Sequence, residues 1–126
     1  MNLQFLEFDR SEDAEGVVCW DALAQPAAEF TQALLEEVAQ VLVWAHQFDT
    51  HGPGPLENGA NWDFDLQITW LEEGTPALVA QPRFVPSTGQ LTVQPERQAQ
   101  QCVALSLTLS GTPNFVHAFC ERFDLT

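Results

Sequence analysis

The chain has 126 residues, 45% of them hydrophobic, with nine Phe and four Trp. That is enough bulk for a hydrophobic core without disulfide staples, and a single domain over residues 1–126 is expected. Eighteen Asp and Glu stand against four Arg and no Lys, a net charge of −14; phosphate contacts need cations, so direct binding to nucleic acid or to an anionic membrane is excluded.

The charge is uneven. Residues 1–80 carry fifteen acids and only Arg10, whereas residues 81–126 carry three acids and three arginines. All the net charge therefore belongs to the first two-thirds. The start of the chain lacks a basic region and acquires acid at once, unlike a signal peptide. No run of about 18 apolar residues provides a membrane span. Cys19, Cys102 and Cys120 are an odd, scattered set without C-x-x-C, which predicts reduced thiols in a cytoplasmic protein.

Asn2 to Phe8 mixes Leu and Phe on both parities and is expected to form a first strand, partly buried on both sides. Asp9 to Glu15, with four acids and Arg10, is expected to be a polar turn. Gly16 to Trp20 resumes an extended run, and Asp21 to Gln25 is ambiguous between strand end and helix start. Pro26 suits the first turn of a helix. From Ala27 to Phe48, the positions Ala27, Phe30, Leu34, Val38, Val41, Ala45 and Phe48 recur at spacings of three and four. They predict one long helix lying on the sheet.

Asp49 to Asn61 holds three Gly and two Pro and reads as an irregular loop. Loops of this length are often functional, so it is a place to look for a site. Trp62 to Trp70 then alternates strictly, with large apolar residues at every even position. This predicts a strand with one buried face. Glu72 to Pro76 is a turn and Ala77 to Val85 the returning strand. Setting Trp70 opposite Leu78 puts Ile68 opposite Ala80, Leu66 opposite Pro82, Phe64 opposite Phe84, and Asp65 opposite Arg83 on the other face. Pro82 cannot donate to a ladder, so a ragged edge is expected there. Pro86 to Gly89 makes a second turn that sets Val85 by Gln90, Phe84 by Leu91 and Pro82 by Val93. After a polar connection, Cys102 to Ser110 alternates again. Thr112 and Pro113 are suited to start a short final helix carrying Phe115, Phe119 and Phe123 at i, i+4, i+8.

The fold class expected is α+β, in the order β-β-α-β-β-β-β-α. A mostly antiparallel sheet of five or six strands carries one long helix on one face and a short C-terminal helix. The inward face should present Phe64, Leu66, Ile68, Trp70, Phe84, Leu91 and Leu107.

Three groups of residues have chemistry to offer. His46, Asp49 and His51 are ligand types suited to a divalent metal, although their spacing straddles a helix end and equally suits satisfying its last carbonyls. Asp63 and Asp65 share a strand face about 7 Å apart, but an ion pair with Arg83 accounts for Asp65 more simply than acid–base work. Asp9, Glu12, Asp13, Glu15, Asp63, Glu72 and Glu73 form an acidic surface that could meet a basic partner and steer its approach. No nucleophile elbow and no phosphate loop occurs.

The function expected is that of a non-enzymatic protein–protein interaction module, of inhibitor or immunity type, for a basic partner, with no cofactor. The chain would be a monomer, or a homodimer paired through an edge strand. The alternative is a small-ligand or metal-binding protein with its site at the 49–61 loop.

Overall fold

A computed structural model describes residues 3–125, so Asn2 of the expected first strand lies outside the described residues. The chain runs β1 (Phe8–Glu12), β2 (Val18–Ala24), a 3₁₀ turn (Ala28–Phe30), α1 (Thr31–Phe48), β3 (Trp62–Leu71), β4 (Leu78–Val85), β5 (Gln90–Gln94), β6 (Cys102–Gly111) and α2 (Pro113–Phe123). All paired strands are antiparallel, in the order β1-β2-β6-β3-β4-β5. The α+β class and the element order are as the sequence predicts.

The last strand, β6, inserts between β2 and β3 and is the sheet's centre. Its odd residues Val103, Leu105, Leu107 and Leu109 are buried. They meet the even residues of both neighbours, Leu107 lying between Ala22 and Leu66. Both helices lie on this apolar side. Leu34, Val38, Val41, Leu42 and Ala45 of α1 are buried, and Trp44 packs against Phe115, Phe119 and Phe123 of α2 at ring distances of 5.5, 5.9 and 5.7 Å. Ile68, Trp70 and Leu107 are fully buried on this face, while Phe64, Leu66, Phe84 and Leu91 pack partly buried against the core. The Trp70 indole N–H donates to the Pro95 carbonyl (2.8 Å), tying the β5–β6 connection to the core. Gly111 has to be glycine because a Cβ there would collide with the Phe115 ring, which packs on its backbone.

Several expectations need correction. The first strand covers Phe8–Glu12 rather than residues 2–8, and the acidic segment expected to be a turn is mostly strand. The donors of residues 4–6 go elsewhere: the backbone N–H groups of Gln4, Phe5 and Leu6 all donate to the Glu37 carboxylate of α1. The ambiguous segment 21–25 continues β2 through Ala24. Phe30 and Phe48, expected in the helix stripe, are 45% and 41% exposed at the two ends of the helical segment. The Thr112 hydroxyl makes no cap bond. It is buried without a partner, while the Thr112 backbone N–H donates to the Asn61 carbonyl (2.9 Å).

The registers of β3–β4 and β4–β5 agree with expectation wherever pairing exists. Ile68 opposes Ala80, Trp70 opposes Leu78, Phe84 opposes Leu91 and Pro82 opposes Val93. The β3–β4 ladder, however, covers only Ile68–Trp70. Past Ala80 the ladder stops, so the expected pairs Leu66–Pro82, Phe64–Phe84 and Asp65–Arg83 are not ladder pairs. Proline is the physical reason: lacking an N–H, it cannot continue the ladder.

Candidate functional site

Both helices occupy one side of the sheet, which leaves the other side of β2, β6 and β3 uncovered. Alternation places Cys19, Asp21 and Leu23 of β2, Ala104, Ser106, Thr108 and Ser110 of β6, and Asp63, Asp65, Gln67 and Thr69 of β3 on that side. The floor along β6 is small and polar. A shallow concavity of about 480 Å³ lies over it, lined by Leu23, Gln25, Gln67, Thr69, Ala104 and Ser106 among others. Leu23 is 78% exposed at its edge, and Val79 of β4 is 68% exposed nearby.

One row across this face concentrates charge. Asp9 lies directly opposite Asp21, Asp21 opposite Thr108, and Thr108 opposite Asp65. The Thr108 hydroxyl donates to Asp21 (2.8 Å), and the Gln67 amide donates to Asp65 (2.9 Å). Asp63 sits in the next row, where its carboxylate accepts the Phe64 N–H (2.9 Å). Like charges directly opposite one another are destabilising.

Three of the four arginines are engaged elsewhere. Arg10 lies over the Trp20 ring and Arg122 over the Phe123 ring, while Arg97 donates to the carbonyls of Gln98, Ala99 and Gln101. Arg83 is the remaining arginine, and strand alternation puts it on the uncovered side of β4.

The acidic residues expected to bind a partner do not form one surface. Asp9 and Asp63 are on the uncovered face, joined by Asp21 and Asp65, which the sequence reading did not assign to the partner surface. Glu12 has the parity of the helix side, opposite Val18. The Asp13 carboxylate accepts the N–H groups of Glu15 and Val17 (2.8 and 2.9 Å), so it holds the β1–β2 turn in which Glu15 is exposed. Glu72 and Glu73 follow the far end of β3, roughly 30 Å from Asp63 by strand rise.

The residues considered for a metal also separate. His46 Nδ1–H donates to the Leu42 carbonyl (2.8 Å), and its ring packs against Trp62 and Phe84 at 5.0 and 5.1 Å. Asp49 and His51 stay together, with Asp49 Oδ1 3.3 Å from His51 Nδ1. Among the described residues no group of three His, Cys, Asp or Glu side chains is placed to hold a metal ion. No protein-family model, curated protein or solved structure matches this chain.

Asp49 instead organises the loop. Its buried carboxylate accepts the Asn61 side-chain amide (3.1 Å) and the His51 N–H (3.0 Å), and these bonds hold its pKa below the usual carboxylate range despite burial. A depressed folded pKa adds stability above the ordinary Asp value of about 3.9 and loses it as pH falls through the folded value. Asp49→Ala should therefore cost about 1–2 kcal/mol at neutral pH. Denaturant titrations at falling pH should show the gap between variant and parent closing below about pH 4. A gap unchanged at low pH would mean that the carboxylate charge plays no part.

The three cysteines are Cys19 of β2, Cys102 of β6 and Cys120 of α2. All three are free and half-buried, and burial pushes the Cys120 thiol pKa up, with Arg10 opposing the shift. Among the described residues no helix is long and apolar enough to cross a membrane.

Proposed function

We propose that this protein is a non-enzymatic interaction module of inhibitor or immunity type, which meets a basic protein partner across the uncovered face of its sheet. The observation that carries this is the row Asp9–Asp21–Thr108–Asp65, where two carboxylates oppose each other and every arginine but Arg83 is engaged elsewhere. A cationic surface laid on this row would relieve the repulsion. The exposed Leu23, in the next row of this face, and Val79, one row further along, supply apolar contact. The excess negative charge would steer the encounter over long range and make it sensitive to salt.

The proposal is tested by immobilising the protein, passing a lysate of its own cells over it at low and at high salt, and identifying what is retained. Retention of one basic protein at low salt, lost at high salt and lost in the Asp9→Asn/Asp21→Asn/Asp65→Asn variant, is the expected result. Retention that is indifferent to these substitutions would overturn the assignment of the face.

A further inference from the structure

The two edges of the sheet are unlike. β1 has β2 as its one neighbour in the sheet, and β5 has β4. β1 reads Phe-Asp-Arg-Ser-Glu, and charged side chains of this kind keep a strand edge from pairing with other chains. β5 reads Gln-Leu-Thr-Val-Gln, with neither charge nor proline, so it lacks that protection.

A groove runs beside β5. Two hollows of about 440 and 340 Å³ share Gln32, Leu35, Leu91 and Thr92 and so are continuous. Residues 89–94 line them without a gap. Side chains alternate between faces along a strand, so a wall built of consecutive residues is the strand's edge. The helical segment is the opposite wall. Glu29 stands by the Gln94 end and Ala39 by the Gly89 end, so helix and edge run antiparallel. Leu35 and Leu91 are half-buried between the walls, while Glu29, Glu36 and Glu96 are exposed around them. Arg97 also lines the groove, but its Nη1 donates to the carbonyls of Gln98, Ala99 and Gln101.

We propose that this groove takes an extended, cationic segment of another protein, which adds to the sheet as a seventh strand along β5. The site is on the helix side and does not rest on the partner reading of the uncovered face. Strand addition draws affinity from main-chain hydrogen bonds and selectivity from alternate side chains. Helix-facing side chains of the added strand would lay their stems over Leu35 and Leu91 and carry ammonium or guanidinium heads to Glu29 and Glu36. Those two acids are seven residues apart, roughly 10 Å by helix rise. A strand residue and the fourth after it are roughly 13 Å apart on one face, within reach of both through flexible stems. A second copy of this chain is the poorer occupant, because two chains of net charge −14 repel one another.

The test is an NMR titration of the isotopically labelled full chain with the peptide N-acetyl-Thr-Lys-Thr-Val-Thr-Lys-Thr-amide, which sets both lysines and the valine on one face. Saturable shifts are expected at the Leu91 and Val93 amides. The same peptide with glutamate in place of lysine should not saturate. Glu29→Gln/Glu36→Gln should weaken binding about fivefold, the effect of two exposed ion pairs. The Asp9→Asn/Asp21→Asn/Asp65→Asn variant should bind the peptide like the parent. Backbone N-methylation separates a strand from a loosely held cation, since alternate amides of a strand point to opposite edges. Methylating either the lysine and valine amides or the threonine amides should abolish binding, and methylating the other set should be tolerated.

Equal effects of the two methylated sets, equal binding of the glutamate peptide, or equal losses in the two protein variants would overturn the proposal. So would shifts at Leu91 and Val93 that follow protein concentration and ignore the peptide, which would make a second copy the occupant.

Discussion

Phe119→Ala is expected to destabilise the fold by about 3–5 kcal/mol, the usual range for emptying a buried aromatic site. Phe119 is fully buried and touches rings from four elements: Phe8 of β1, Trp20 of β2, Trp44 of α1, and Phe115 and Phe123 of α2, at 5.3 to 6.0 Å. Neighbours fixed on different elements cannot all collapse into the space, so the cavity term adds to the lost transfer energy. Denaturant midpoints measure the effect, with Phe48→Ala as the comparison. Phe48 is partly exposed and stacks on Trp44 at 5.4 Å and edge-on to Phe115 at 5.7 Å, so its loss should cost less than half as much. Equal costs would mean that the aromatic cluster is not the hub joining the helices to the sheet.

Glu37→Ala is expected to cost about 3 kcal/mol, because three backbone N–H groups lose one charged acceptor. Glu37 is buried, and its carboxylate accepts the amides of Gln4, Phe5 and Leu6. Leu6 is itself buried against the core, so freeing the segment also exposes apolar surface. Hydrogen exchange at Phe5 and Leu6 should accelerate sharply in Glu37→Ala. Glu37→Gln, which keeps one acceptor oxygen, should fall between the two. Unchanged exchange at Leu6 in Glu37→Ala would show that the segment is held by packing alone.

These two residues also show what could be read in the chain before its structure. The strict alternation of Trp62–Trp70 and Cys102–Ser110 fixed strand faces and, with the turn at 72–76, a register that the structure repeats at Ile68–Ala80 and Trp70–Leu78. A one-residue slip would turn those apolar side chains to water, which is why pattern alone sufficed. The insertion of β6 between β2 and β3 was not legible, since it depends on contacts between segments some forty to ninety residues apart that leave no local pattern.

β1 was missed because an edge strand with solvent on one side needs no apolar alternation; its sequence Phe-Asp-Arg-Ser-Glu looks like a turn. Glu37 was not singled out from the sequence. Its position, three after Leu34 and four before Val41, lies on the buried stripe, and that spacing was the available signal. The acidic face was half legible. Asp63 and Asp65 announced themselves by alternation, but the opposition of Asp9 and Asp21 requires the β1–β2 register.

The most direct test of the account is the dissociation constant for the captured basic partner, measured against salt concentration. The parent protein, the Asp9→Asn/Asp21→Asn/Asp65→Asn variant and a Glu72→Gln/Glu73→Gln variant altered at the other end of the sheet would be compared. The account predicts that affinity of the parent falls steeply with salt, that the aspartate variant binds weakly with a flatter dependence, and that the glutamate variant stays close to the parent. Equal losses in both variants, or an unchanged salt dependence in the aspartate variant, would contradict it.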